Sequence, residues 1–391
     1  MATRKPVKSA RSAQSARGTS PKRPAAKEPA RKPAPDLAEV RGRIDAIDRS
    51  IQELIAERAR FAQHVGRAKG PLKAAVDYYR PEREAQVLRM VIERNHGPLS
   101  NEEMVRLFRE IMSSCLAQQE PLKIGYLGPE GTFSEQACIK HFGNGVRRLP
   151  LSGVEEVFQE VEAGHADFGV VPIENSGEGT VHSTLDLFLT SKLKICGEIE
   201  LRVHQYLMSK SGSLREVERV YSHPQSLAQC RGWLRENLAK AERTPVSSNA
   251  EAARRARNAD DAGAIAGETA AHVYGLKIVA GPIEDRPDNT TRFLVIGRDL
   301  FAPSGRDKTS MLVAVKDRPG ALYELLTPLA ASGLSLTKIE SRPSRQGKWQ
   351  YVFFIDVEGH VEDARLSAVL RKLGAFTQNV KVLGSYPQAV L

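Results

Sequence analysis

Four clusters of small, hydroxylic and charged residues sit where short apolar runs end: GPEGTFSEQA at 128–137, VPIENSGEGTVHSTLDLF at 171–188, YSHPQSLAQC at 221–230 and TTRF at 290–293. The first three set Gly, Ser, Thr or Asn ahead of a helical stretch, so each of these can serve as a cap. Several helix starts turned toward one cleft would present free backbone N–H groups to an anionic ligand. Thr291 and Arg292 place a hydroxyl and a guanidinium at the mouth of the apolar run Phe293–Ile296, and Glu174 beside Asn175 is the most enzyme-like pair. His223, within SHPQ, is either a base or a turn histidine before Pro224; a turn accounts for it more simply.

A second set of candidates is cationic. Arg58 and Lys69 are eleven residues apart, about 20° around a helix axis, and both fall within an apolar stripe. Arg41 lies seventeen residues before Arg58, about 100° away, at the stripe's edge. Each alone can snorkel as a solvated flank. Together they point to a small polyanion, because buried cations need partners.

The elements that must carry these residues follow from periodicity. Residues 36–120 read as helical: Ile44, Ile47, Ile51, Leu54, Ile55, Phe61 and Val65 recur at 3/4 spacing, Pro81 opens a second helix, and SNEE at 100–103 is a capping-box pattern for a third. Such a hairpin encloses little core by itself, so a dimer is expected. Residues 121–300 alternate short strands (KIGYLG, FGVVPI, RVYS, AIA, RFLVIG) with helices, an α/β pattern. After a polar linker at 301–308, residues 308–388 follow the order β-α-β-β-α-β, the ferredoxin-like α+β signature.

Bulk properties exclude several function classes. The net charge is +10, but residues 1–35 hold ten Lys/Arg against one Glu, leaving only +1 on the body. That basic Ala/Pro/Ser tail has too little apolar surface to order itself, and no specific nucleic-acid partner is expected. No run of about 18 apolar residues is present, so no membrane span is expected. Cys115, Cys138, Cys196 and Cys230 lack CxxC spacing and read as reduced cytoplasmic residues, with no metal site. There is no G-x-G-x-x-G, P-loop, HExxH or G-x-S-x-G motif.

RGRIDAIDRSIQELIAERARFAQHVGRAKG, YYRPEREAQVL and CLAQQ resemble the all-helical chorismate mutase family. The resemblance implies that Arg58, Lys69 and Arg83 of one chain and Arg41 of another surround chorismate. Lys69 and Gln119 would face its ether oxygen, and Glu84 would hold a hydroxyl. Arg80 and Cys115 stand where some members have Asp and Ser, as secondary contacts. That rearrangement needs orientation and positive charge, not a nucleophile.

GPEGTFS, PIENS and TRF, in that order, resemble prephenate dehydratase, whose fold is two α/β lobes around a cleft like that of periplasmic binding proteins. The reaction expels carbon dioxide and the ring hydroxyl of prephenate, giving phenylpyruvate without a metal or organic cofactor. The resemblance places Thr291 at the leaving hydroxyl, with Glu174, Asn175, Ser176, Ser222 and Gln229 in the same cleft. Thr132 and Ser134 would contact carboxylates, and Arg292 would support substrate binding. Asn249 replaces the family's Thr in a Ser-Thr-Ala turn.

DRPGALYELL and TKIESRP resemble the phenylalanine-contact motifs of the ACT regulatory domain. Gly320, Ala321, Leu322, Ser335, Glu340, Ser341 and Arg342 are the implied effector residues. The expected protein is therefore a bifunctional, phenylalanine-inhibited cytoplasmic enzyme, a homodimer or dimer of dimers. Arogenate as the dehydration substrate, or a non-catalytic amino-acid-binding regulator, are the alternatives.

Overall fold

The structure, a computed structural model, describes residues 36–68, 79–315, 318–343 and 351–391. Lys69 and the basic tail lie outside the described residues. The chain divides into two compact units between Glu53 and Leu54.

In the first unit the described residues are the opening turns of helix α1 (Leu37–Ala68). Glu39 in the first turn suits the positive helix end, and its exposed pair with Arg43 at 2.9 Å is an i,i+4 contact. Leu37, Ile44, Ile47 and Ile51 are all exposed.

The second unit begins with the rest of α1, where Leu54, Ile55, Phe61 and Val65 are likewise exposed. Helix α2 (Pro81–Arg94) starts on proline, whose missing N–H costs nothing at a helix start. Helix α3 (Asn101–Ala117) has the expected capping box: Glu103 N donates to Ser100 Oγ, and Ser100 N to the Glu103 carboxylate. Ala85, Leu88 and Val91 of α2 and Val105 and Cys115 of α3 are buried.

Two lobes follow. The first contains β1 (Lys123–Leu127), α4 (Phe133–Phe142), β2 (Arg147–Leu151), α5 (Val154–Glu162), β3 (Phe168–Asn175), the short β4 (Gly179–Thr180), α6 (His182–Thr190) and β5 (Lys194–Arg202). The second holds β6 (Tyr206–Ser209), β7 (Arg219–Ser222), α7 (Pro224–Gln229), α8 (Arg231–Asn237), β8 (Glu242–Pro245), α9 (Asn249–Ala256), β9 (Ala262–Ala266), α10 (Glu268–Tyr274) and β10 (Lys277–Ala280). The chain then returns as β11 (Thr290–Gly297) between β3 and β5, giving the order β2-β1-β3-β11-β5 in one sheet and β10-β6-β9-β7-β8 in the other. The strands expected from sequence are present, but β11 runs antiparallel to both neighbours, so the first sheet is mixed.

The C-terminal module comprises β12 (Asp307–Ala314), α11 (Ala321–Ala331), β13 (Leu336–Pro343), β14 (Tyr351–Glu358), α12 (Ala364–Phe376) and β15 (Asn379–Pro387), with sheet order β13-β14-β12-β15. One face of this sheet carries its helices through a core around Met311, Leu325, Ile355 and Leu373. The other face packs on the first lobe: Leu312, Val352, Phe354 and Leu383 share a core with Ile195, Leu294 and Ile296. Gly384 marks the closest approach, since a Cβ there would fall 2.1 Å from the Ile195 carbonyl oxygen. The C-terminal module is therefore fused to the lobe through buried apolar surface.

Candidate active-site cleft

A cleft of about 500 Å³ opens between the lobes. The first lobe contributes Thr132, Phe133, Ser134, Asn175 and Thr291, and the second contributes His223, Ser226, Gln229, Ser248 and Asn249. Val203, Gln205 and Asn289, from the two crossing segments, also line it. Those segments are bonded to their neighbours, Val203 N to Asn289 O at 2.8 Å and Ile283 N to Gln205 O at 2.9 Å. Helices α4 and α9, one from each lobe, start at the cleft with Thr132 and Ser248 as N-caps.

At the first-lobe wall, Asn175 Nδ2 donates to Thr291 Oγ1 at 2.8 Å and to Asn289 Oδ1 at 2.9 Å. Asn175 Oδ1 accepts from the backbone N–H of Gly177 and Glu178, at 2.9 and 3.2 Å, which fixes the amide's orientation. Thr291 Oγ1 thus already accepts a hydrogen bond, which leaves its own O–H available to donate. The β3–β11 register sets Thr291 directly opposite Asn175, so alternation aims both side chains to one face.

On the second-lobe wall, Gln205 Nε2 donates to Ser226 Oγ and Gln229 Oε1, both at 3.1 Å. Asn249 Nδ2 donates to Ser226 Oγ at 2.8 Å, while its Oδ1 accepts from Ser222 Oγ at 2.9 Å and His223 N at 3.0 Å. Asn249 therefore organises this wall despite its departure from the family's Thr. His223 caps α7, its Nδ1 accepting from Gln225 N at 3.3 Å, as the turn reading expects.

Four expected cleft residues stand elsewhere. Glu174 and Arg292 are the strand neighbours of Asn175 and Thr291, so alternation turns them to the opposite face. Glu174 pairs with Lys338 at 2.7 Å. Arg292 pairs with Glu198 at 2.8 Å and Asp356 at 2.7 Å, and donates to Tyr386 Oη at 3.2 Å. Burial opposes its charge, but Tyr386, Asp356 and Glu198 outweigh this and raise its pKa. Ser222 is fully buried behind the wall, between Asn249 and the Ile265 carbonyl. Ser176 lines an adjoining cavity and accepts from Thr290 N at 3.0 Å. Thr132 and Ser134 do line the cleft, although the Thr132 hydroxyl is given to Leu127 O at 3.0 Å. Sequence motifs alone do not mark Gln205, Ser226 or Asn289 as site residues. A glutamine at a strand mouth, in VHQYLM, and Ser226 inside YSHPQSLAQC are the local signals.

The helical candidates are only partly gathered. Arg58 is half-buried and Arg83 exposed; Arg41, in the first unit, is exposed. Arg80 is exposed and lies 3.5 Å from Glu82. Glu84 faces Arg109 at 3.7 Å, and burial pushes its carboxyl up to about 7 against the opposing pull of that guanidinium. Cys115 is buried at 3 % exposure, so it packs rather than lines an open pocket; its neighbour Ser114 is exposed. Gln119 donates to Ala62 O at 3.1 Å and leaves Oε1 buried and unbonded.

In the C-terminal module, Gly320 takes a left-handed φ of 82° before α11 and, with Ala321 and Leu322, lines a cavity of about 260 Å³. Ser335 and Ser341 are exposed. Glu340 and Arg342 instead turn toward the first lobe, bonding Thr180 Oγ1 at 3.1 Å and Asp186 at 2.6 Å. Among the described residues no cluster of His, Cys, Asp and Glu could hold a metal, and no helix is long and apolar enough to cross a membrane. The four cysteines are free, and burial pushes up the thiols of Cys138, Cys196 and Cys230.

Residues 40–120 match the chorismate mutase type II family, residues 124–300 the prephenate dehydratase family and residues 309–375 the ACT domain. The bifunctional chorismate mutase/prephenate dehydratase of Stutzerimonas stutzeri is 54% identical over 362 residues, covering 92% of this chain and 99% of its own. The prephenate dehydratase of Arthrobacter aurescens, solved in complex with L-Phe, is 36% identical with a TM-score of 0.64, over 69% of this chain and 93% of its own. A quorum quenching acylase, GqqA, is similar too, at 32% identity and a TM-score of 0.64, over 68% of this chain and 98% of its own. With a helical module, a two-lobed module and an ACT module in the same order as such relatives, the chain belongs to the bifunctional chorismate mutase/prephenate dehydratase family.

Proposed function

We propose that the helical module rearranges chorismate to prephenate and that the cleft converts prephenate to phenylpyruvate, with Thr291 as the proton donor. The observation that carries the second step is the Asn175 Nδ2–Thr291 Oγ1 bond of 2.8 Å at the cleft wall. As carbon dioxide departs, its bonding electron pair enters the ring and the ring hydroxyl leaves. Thr291 gives its proton to that hydroxide, forming water, and regains one from solvent; one proton is consumed overall. Asn175 stabilises the charge that builds on Thr291 Oγ1 in the meantime. The N–H groups opening α4 and α9 grip the two carboxylates from opposite lobes.

Thr291→Val keeps the shape and removes the proton. Expected is a loss of dehydration kcat of about 10²- to 10⁴-fold, the usual worth of a positioned acid, with the chorismate step intact. Thr291→Ser should recover most of the rate. A Val variant that dehydrates prephenate normally sinks the assignment. Arogenate offered in parallel tests the substrate.

Chorismate needs cations from more than one helix. Arg58, Arg83 and the sequence position of Lys69 supply them, and Arg41 of a second chain completes the set. The exposed stripe from Ile44 to Val65 supports a homodimer through α1, because apolar surface of that extent favours burial. Phenylalanine acts as feedback inhibitor at the ACT module, where Gly320, Ala321 and Leu322 line a cavity. Free cysteines suit a reducing cytoplasm.

A further inference from the structure

The alternation that aims Asn175 and Thr291 into the cleft sends their chain neighbours the other way. Glu174 and Arg292 are direct cross-strand partners on β3 and β11. Facing them, Lys338 and Asp356 are direct partners on β13 and β14. The two pairs meet with charges matched: Lys338 Nζ lies 2.7 Å from Glu174 Oε2, and Arg292 Nη1 lies 2.7 Å from Asp356 Oδ2. Each pair adjoins a register shift, between Arg292 and Phe293 on one sheet and between Leu336 and Lys338 on the other. Such irregularities re-aim side chains next to functional sites.

The two halves of this quartet differ in strength. Arg292 and Asp356 side chains are 13% and 10% exposed, so that contact is a buried anchor. The Glu174 side chain is 40% exposed, and an ion pair in that setting is readily broken. The breakable half sits on β13, an edge strand bonded on one side only. Every second residue of β13 faces the first lobe: Lys338 grips Glu174, Glu340 grips Thr180 and Arg342 grips Asp186. The intervening Thr337, Ile339 and Ser341 are exposed on the other side. One strand thus belongs to the effector motif and also touches the neighbour of a cleft residue.

We propose that this quartet is the coupling element by which the ACT module controls dehydration, with Glu174 and Arg292 as positioning residues for Asn175 and Thr291. The proposal rests on the reading of the cleft as the dehydration site and of phenylalanine as effector. Movement of β13 releases Glu174 while Arg292 stays anchored. The β3 strand then shifts against β11, and the Asn175–Thr291 bond loses its geometry.

The test uses full-length Lys338→Met. Prephenate dehydration is measured without and with saturating phenylalanine, phenylalanine binding by calorimetry, and the chorismate step as a check on folding. Expected is a fall of about fivefold or more in the ratio of uninhibited to inhibited rate, with the phenylalanine Kd unchanged within about threefold. The swap Glu174→Lys with Lys338→Glu should restore at least half of the lost ratio, and Lys338→Arg should keep it. An unchanged ratio, a ratio lost only in step with phenylalanine affinity, or a swap no better than the single variant overturns the proposal. If Lys338→Met also loses the chorismate step, Lys338→Gln carries the same comparison. Normal dehydration by Thr291→Val would overturn the donor assignment instead, without touching the Lys338 ratio.

Discussion

Glu198→Gln is a sharp perturbation because it removes one charge and almost no volume. Glu198, on β5, has a side chain only 2% exposed and accepts from Arg292 Nε at 3.0 Å, from Lys308 Nζ at 2.7 Å and from Ala389 N at 3.2 Å. With Asp356 it balances the charges of Arg292 and Lys308. Its amide leaves one uncompensated cation between the first lobe and the ACT sheet. Removing one partner from a buried pair costs about 3–5 kcal/mol. Summing the individual charge-assisted bonds would give more, but bonds within one network are not additive. Lys308 can turn its flexible stem toward solvent, so the lower end, about 3 kcal/mol, is expected. Equilibrium urea unfolding followed by Trp233 fluorescence, in a Trp349→Phe background, reads the two-lobed module. Adding Lys308→Met should recover about half of the loss, since it removes the surplus charge. A Glu198→Gln variant within about 1 kcal/mol of the parent would refute the reasoning, as would additive damage from Lys308→Met.

The pH dependence of stability offers a separate check at Glu84. Its folded carboxyl, pushed from 4.5 up to about 7, keeps a proton that the unfolded chain releases. Stability therefore falls as pH rises through that window, by up to roughly 3 kcal/mol, and Glu84→Gln should flatten the dependence. Comparing urea midpoints of both proteins at pH 5 and pH 8 decides it; parallel curves would contradict the assignment. Ile51→Glu places a charge on the exposed α1 stripe. It should yield a monomer by sedimentation that has lost the chorismate step but still dehydrates added prephenate. An oligomer of unchanged size would place the interface elsewhere. Deleting residues 301–391 should give an insoluble or unstable protein, because Leu294, Ile195 and Ile296 lose their apolar cover. A soluble, well-folded truncation would show that the shared core contributes little.

Much of this architecture is legible in the residues themselves, because it depends on local rules. The capping box at Ser100 and Glu103, the proline start of α2 and the β-α-β-β-α-β order of the ACT module come from periodicity and turn chemistry. GPEGTFS, PIENS and TRF carry Thr132, Ser134, Asn175 and Thr291, and all four line one cleft. The antiparallel β11, inserted from the far side of the second lobe, has no local signature, since pairing direction depends on where the chain returns. Gln205 and Asn289 have no decisive local signature for the same reason: each is ordinary until the two crossing segments meet at the cleft.

Residue types and their spacing determined which groups are present and that strand neighbours point opposite ways. Only the tertiary structure decided which way is inward. Alternation alone allows either Glu174 or Asn175, and either Thr291 or Arg292, to face the substrate. Packing of the ACT sheet on one face of the first lobe resolves this. The charged members meet Lys338 and Asp356 there, and the neutral Asn175 and Thr291 are left for the cleft. A charge goes where a partner of opposite sign can be supplied, and that partner lies more than a hundred and sixty residues along the chain from Glu174.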